Sequence, residues 1–115
     1  CPEDFLLLTG DDATAIDFLL LGGHGGISVT ANVTPKELQK AYLAAIAGNA
    51  ELAKKLNDSL SGLHKNLFVE SNPIPVKWAL HKMGMCESGI RLPLLKLSNE
   101  CKLVVEKDLK DLDLI

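Results

Sequence analysis

The sequence predicts an α/β fold in which two parallel strands come first and the remainder is helical. The first 32 residues contain a short apolar run, a stretch of helical composition and a second run rich in β-branched residues. This order is typical of a βαβ unit, in which the two strands pair in parallel. After Asn32 the apolar residues recur at spacings of three and four, which is the period of an amphipathic helix.

The first strand is predicted at residues 5–9, where a continuous apolar run is closed by Gly10 and two aspartates. A short run without alternation fits a strand that is buried on both faces, as in a parallel sheet. Residues 13–21 have helical composition and stop at a glycine pair, a common helix end.

The second strand is predicted at residues 26–30, because β-branched residues are concentrated there, and Ser28 would lie inside it. The glycine-rich residues 22–26 precede this strand, whereas a phosphate-binding loop follows a strand and opens a helix. We therefore expect a tight turn at the end of the sheet opposite the active site. His24 within that turn would be structural or merely exposed.

Four helices are predicted in the second part of the chain. The first opens at a capping box, Thr34 to Glu37, with Pro35 at its first helical position, and stops at Gly48. The other three are predicted to begin at Asn49, at residues 71–73 and at Asn99, and to run through Leu67, Met83 and Leu112 respectively. Residues 87–98 are expected to form an irregular connector.

The two predicted strands lack enough partners to form a stable sheet. A sheet of two strands is at best marginally stable in water, and a buried parallel strand needs a neighbour on each side. We therefore expect the missing strands to come from more chain or from another subunit. The opening residues, Cys1 and Pro2, also read as a chain that begins within a larger protein.

Composition excludes several functional classes. A net charge of −3 gives no support for binding to nucleic acid or to an anionic membrane, and no apolar run has the roughly 18 residues of a membrane span. Three cysteines without a C-x-x-C pair indicate a reduced, cytoplasmic setting in which they are small apolar residues in or near a core. The three histidines have no neighbours at metal-site spacing, so no metal site is expected. No cofactor is expected either.

The carboxyl ends of the strands are where an α/β protein would bind its ligand. At the first strand, Gly10 allows a close approach of a ligand to the backbone, and Asp11 and Asp12 are possible acids, bases or orienting carboxylates. The alternative is that one of them, most readily Asp12, caps the helix that follows. All eleven lysines lie after Asn32, so the strand ends lack a Schiff-base nucleophile; Lys77 has an apolar setting that fits simple packing.

Several stretches together resemble the dihydrodipicolinate synthases, also called 4-hydroxy-tetrahydrodipicolinate synthases. The resemblance covers essentially the whole chain, and its most specific part is residues 67–80, LFVESNPIPVKWAL. The other stretches are residues 8–12, LTGDD; residues 22–32, GGHGGISVTAN; and residues 91–94, RLPL.

This resemblance implies a fold and an activity. It implies the last part of a (β/α)8 barrel at residues 1–48, with residues 5–9 as the seventh strand and residues 26–30 as the eighth, and a C-terminal helical domain at residues 49–115. Such enzymes condense pyruvate with aspartate semialdehyde in lysine biosynthesis, through a Schiff base with a lysine on the sixth strand. They are usually homodimers or homotetramers.

The resemblance places the catalytic residues outside this chain. The Schiff-base lysine, a proton-relaying tyrosine, a threonine pair and an arginine for the second substrate would all precede Cys1. The residues that carry over are Ile27 and Gly10, whose main chains would line the pyruvate site. We therefore expect no catalytic residue here and no activity of the chain alone.

Two alternatives to this reading stay open. The chain could be a non-catalytic half-barrel that associates with itself or with an N-terminal partner. It could also belong to a related pyruvate aldolase such as N-acetylneuraminate lyase, although residues 72–80 and 91–94 look more like the synthase.

Overall fold

The computed structural model describes residues 2–115, which form two short strands, a 3-10 turn and five α-helices. In chain order they are β1 (Leu8–Thr9), α1 (Ala15–Leu20), β2 (Gly25–Gly26), the 3-10 turn (Thr30–Asn32), α2 (Pro35–Ile46), α3 (Ala50–Asn66), α4 (Ile74–Lys82) and α5 (Asn99–Asp111). The predicted order of strand, helix, strand and four helices is confirmed. The chain divides into two compact units, one up to Ser61 and one from Gly62 to Ile115.

The two strands pair in parallel, as predicted, with Leu8 opposite Gly25 and Thr9 opposite Gly26. Each strand has two residues, so the predicted lengths of five were wrong. A ladder extends only as far as a neighbour supplies donors and acceptors, and within residues 2–115 each strand has the other as its one neighbour. The apolar run before Thr9 is consequently exposed, with 67% of Leu6 and 52% of Leu8 accessible.

The placement of Ser28 inside a strand was also wrong. Beyond β2 the chain turns into the 3-10 turn Thr30–Asn32, and the Ser28 hydroxyl oxygen accepts a hydrogen bond from the Ala31 amide at 3.0 Å. Serine commonly satisfies the backbone of a turn in this way, which competes with continuation of a strand.

The glycine-rich segment forms a tight turn at the amino end of β2, as predicted. Gly22 has φ of +101°, a conformation that side chains disfavour. Gly23 packs on Phe18 so closely that an added Cβ would overlap the ring and lie 2.9 Å from the Phe18 carbonyl oxygen. His24 is exposed and structural: its Nδ1 accepts a hydrogen bond from the Leu7 amide at 2.9 Å.

The core of the first unit lies between α1, α2 and the start of α3. It is built of small and medium apolar side chains, which allow the helices to approach closely: Ile16, Leu19, Ala41, Ala44, Ala45 and Ala53. Phe18, Leu20, Tyr42 and Leu56 pack against this cluster while partly exposed. The alanine stripe of α2 therefore holds α1 in place beside the strands.

The amino ends of α2 and α3 confirm one of the two capping predictions. Asn49 caps α3 as predicted, with its Oδ1 accepting from the Leu52 amide at 3.1 Å. The capping box was wrong, because Thr34 makes no side-chain capping bond and Glu37 instead pairs with Lys40 at 2.9 Å. Pro35 still occupies the first turn of α2.

The second unit packs α4 and α5 together with the end of α3. Its fully buried side chains include Leu63, Leu67, Ala79, Val105 and Leu109. Asn66 donates from Nδ2 to Asp108 Oδ2 at 2.7 Å, which links α3 to α5. No helix in the described range is long and apolar enough to cross a membrane.

The expectation that the cysteines lie in or near a core was wrong for Cys86. It is exposed, because it lies in the turn that follows α4, where its Sγ is 3.8 Å from the Lys77 carbonyl oxygen. Cys101 is half-buried on α5, and Cys1 lies outside the described residues.

Candidate functional site at the carboxyl ends of the strands

The parallel pairing brings the carboxyl ends of β1 and β2 to the same edge of the sheet. The Ile27 amide donates to the Thr9 carbonyl oxygen at 2.8 Å, so Ile27 and Gly10 follow directly from one hydrogen-bonded pair. Ile27 is 75% exposed, and no heavy atom lies within 4 Å of a Cβ built on Gly10. The two predicted backbone positions therefore share one open edge; whether they bind a ligand stays a prediction.

Asp11 organises the turn between β1 and α1. Its Oδ2 accepts hydrogen bonds from the Thr14 amide at 3.0 Å and from the Thr14 hydroxyl at 2.6 Å. The Asp11 amide in turn donates to the Thr9 hydroxyl oxygen at 3.2 Å. The carboxylate that serves the start of the helix is therefore Asp11.

Asp12 has a different role from the capping role predicted for it. It is 2% exposed, and its Oδ2 accepts from the amides of Val29 at 3.1 Å and Thr30 at 3.2 Å and from the Thr30 hydroxyl at 3.3 Å. The capping interpretation was wrong because these donors lie 17 or 18 residues along the chain. Asp12 links the end of β1 to the loop that follows β2.

The second oxygen of the Asp12 carboxylate is buried without a hydrogen-bond partner in the part of the chain that the structure describes. Tyr42, on the neighbouring α2, is close enough to interact with this carboxylate electrostatically. Burial, and then the negative charge of Asp12, raise the pKa of the Tyr42 hydroxyl. The phenol therefore stays neutral beside the carboxylate.

Tyr42 was missed as a site residue, because on the sequence it is one of several apolar positions along a helix stripe. It lies beneath β2, where a Cβ on Gly26 would be 2.7 Å from the Tyr42 hydroxyl oxygen. Two sequence features together could have indicated it: Tyr42 is the sole tyrosine, and the glycines of β2 leave room for an aromatic ring against the strand.

Lys77, the lysine with an apolar setting in the sequence, belongs to the second unit. Lys77 is half-buried in the second unit, where it lines a cavity of about 180 Å³ with Ile74, Trp78, His81, Ile90 and Leu97 among its neighbours. Within residues 2–115 no three His, Cys, Asp or Glu side chains are grouped so that they could hold a metal ion.

Comparison with known proteins identifies the relatives of this chain. The model of the dihydrodipicolinate synthetase family matches residues 1–112. The 4-hydroxy-tetrahydrodipicolinate synthase of Ruthia magnifica is 56% identical over 115 residues, all of this chain and 39% of the relative. That of Laribacter hongkongensis is 58% identical over 114 residues, 99% of this chain and again 39% of the relative.

Solved structures give the same result. Dihydrodipicolinate synthase from Acinetobacter baumannii, a chloride-inhibited form complexed with pyruvate, superposes with a TM-score of 0.93 at 48% identity, over 96% of this chain and 38% of the other. The enzyme from Thermotoga maritima superposes with a TM-score of 0.95 at 38% identity, over 99% of this chain and 39% of the other. The described fold is thus a part of the fold of these enzymes, and the chain spans about two fifths of their length.

Proposed function

Because the chain belongs to the dihydrodipicolinate synthetase family, we propose that it is the C-terminal part of a 4-hydroxy-tetrahydrodipicolinate synthase. In this proposal residues 1–48 supply the seventh and eighth strands of a (β/α)8 barrel and residues 49–115 form the helical domain. The observation that carries the proposal is the 56% identity to one such synthase along the entire chain. The whole protein would condense pyruvate with aspartate semialdehyde.

The exposed apolar edge of the sheet supports the proposal independently. Phe5, Leu6 and Leu8 are each more than half exposed, and Ile27 is 75% exposed. Burying a side chain of this size stabilises a fold by about 1.5–3 kcal/mol, so four exposed together leave a large gain unrealised. Further strands of a barrel on either side of β1 and β2 would cover these residues and complete the ladder.

The chain would shape the site without supplying its nucleophile. At the strand-end edge the polar groups are the backbone of Gly10 and Ile27 together with Asp11 and Asp12, and no lysine lies between Gly10 and Asn32. A Schiff base with pyruvate needs a lysine amine. The proposal therefore assigns that amine to the rest of the protein and assigns the pyruvate-binding main chain of Ile27 and Gly10 to this chain.

Borohydride trapping tests this division of roles. The chain incubated with pyruvate and borohydride should keep its mass, whereas a chimera that joins it to the remainder of the Ruthia magnifica synthase should gain one reduced pyruvate adduct. Peptide mapping should place the adduct in the remainder. Stoichiometric trapping of the isolated chain at one lysine, or a folded chimera that fails to be trapped, would contradict the proposal.

A further inference from the structure

Asp12 is a buried carboxylate whose bonding is concentrated on one oxygen. Oδ2 accepts three hydrogen bonds, from the amides of Val29 and Thr30 and from the Thr30 hydroxyl, at 3.1 to 3.3 Å. Oδ1 is buried with no partner among the described residues. A buried carboxylate with one unpartnered oxygen is an unfavourable link between two loops, because a neutral side chain in its place would carry a smaller desolvation penalty. The carboxylate therefore points to a requirement beyond the stability of this unit.

The three donors belong to Val29 and Thr30, two and three residues after Ile27, which is the residue proposed to line the pyruvate site. Ile27 is held on its amino side by the bond from its amide to the Thr9 carbonyl oxygen at 2.8 Å. Two residues later the chain is held again, by the Val29 amide on Asp12. Thr9 ends β1 and Asp12 follows three residues later, so residues 9–12 hold the chain on both sides of Ile27.

The environment holds this arrangement rigid. The two backbone donors cannot rotate away, and hydrogen bonds from amides to a carboxylate are about twice as strong as neutral ones. Tyr42 faces the carboxylate from α2 as a neutral phenol, and Thr30 is fully buried. A small movement of Asp12 would therefore be transmitted to the backbone at Val29 and so to Ile27.

We propose that Asp12 is a positioning residue for pyruvate: it holds the main chain of Ile27 in the orientation that binds the substrate. This inference rests on the proposed function and names a residue that acts through the backbone without touching the substrate. Binding of pyruvate by a fixed main chain contributes equally to the ground state and the transition state, so its loss raises KM with little change in kcat.

The test uses the chimera with the remainder of the Ruthia magnifica synthase. Asp12→Asn keeps the shape of the side chain but removes its charge, and we expect the KM for pyruvate to rise about tenfold, the effect of weakening one charge-assisted bond. We expect kcat to stay within about threefold, and the KM for aspartate semialdehyde to be unchanged.

Two further variants separate positioning from simple stability. Thr30→Val is nearly isosteric and removes one of the three donors, so the KM for pyruvate should rise by a smaller factor of about three. Asp108→Asn is the matched control in the second unit, where a carboxylate accepts from Asn66 at 2.7 Å. It should lower the melting temperature without changing the KM for pyruvate.

The outcomes are distinct. If the unsubstituted chimera turns over and Asp12→Asn raises KM selectively, the positioning role is supported. If Asp12→Asn lowers only the melting temperature, as Asp108→Asn does, the inference is wrong and the proposed function stands. If Asp12→Asn does not fold, an unchanged KM in Thr30→Val decides against the role. A folded chimera that forms no pyruvate adduct overturns the proposed function and this inference with it.

Discussion

The hydroxyl group of Tyr42 lies directly beneath Gly26, so that a Cβ on this glycine would be 2.7 Å from the phenolic oxygen and 3.0 Å from Cε2. The same Cβ would lie 3.2 Å from the Thr9 methyl group on the paired strand. Helix α2 thus approaches β2 as closely as it does because one strand residue lacks a side chain. The first prediction follows from this contact.

Gly26→Ala should destabilise the protein by about 1–3 kcal/mol, since the added methyl group must displace either the Tyr42 ring or the strand. Thermal or urea-induced unfolding measures the change. Gly10→Ala is the matched control, because a Cβ there meets nothing within 4 Å, and it should change stability by about 0.5 kcal/mol or less. Equal effects of the two substitutions would contradict the close contact.

The titration of Tyr42 provides the second prediction. Since it is the sole tyrosine in the sequence, the ultraviolet absorption of tyrosinate reports on this residue alone. We expect its pKa above the ordinary value of 10.0, raised first by burial and then by the charge of Asp12. Asp12→Asn should lower the pKa of Tyr42 part of the way back, because it removes the second cause and leaves the first.

The direction of the pKa shift also fixes a dependence of stability on pH. The folded protein holds the Tyr42 proton more tightly than the unfolded chain does. The stability that protonated Tyr42 contributes to the folded state is therefore fully present below the unfolded pKa. It is lost as the pH rises from about 10 through the folded pKa. Urea-induced unfolding at a series of alkaline pH values should therefore show a decline in stability that is smaller in Asp12→Asn.

The third prediction concerns the exposed strand edge. The isolated chain should self-associate, because the apolar run ending at β1 offers unpaired backbone groups and exposed leucines. Leu6→Lys should shift sedimentation toward the monomer, since Leu6 is 67% exposed in that run and a lysine disfavours edge pairing. Leu92→Lys, at a site 83% exposed in the connector, should not. Identical sedimentation of both variants would show that the strand edge is not what associates.

The order of the elements was predictable because it depends on local patterns. Apolar spacing and stop signals such as Gly48, whose φ is +79°, specify where helices run and end without reference to distant residues. The strands were predicted too long for a physical reason. The sequence of residues 5–9 encodes a buried strand, but burial and pairing require neighbours that residues 2–115 do not contain.

The candidate site was predictable in place but not in detail. Parallel pairing alone puts Gly10 and Ile27 at one edge, and the structure brings them there. The roles of Asp11 and Asp12 could not be assigned, because both follow a strand and both precede a helix. The two aspartates differ in their partners, because Asp12 bonds to Val29 and Thr30, which lie 17 and 18 residues away in the sequence.

The hydrogen bond between His24 and Leu7 at one end of the strand pair, and that between Asp12 and Val29 at the other, have a joint consequence. One of these hydrogen bonds joins the two strands just before they begin and the other just after they end, so neither strand can fray separately. Amide hydrogens along β1 and β2 should therefore exchange with solvent through one shared opening event, at nearly equal rates. The βαβ segment would then behave as a single foldon.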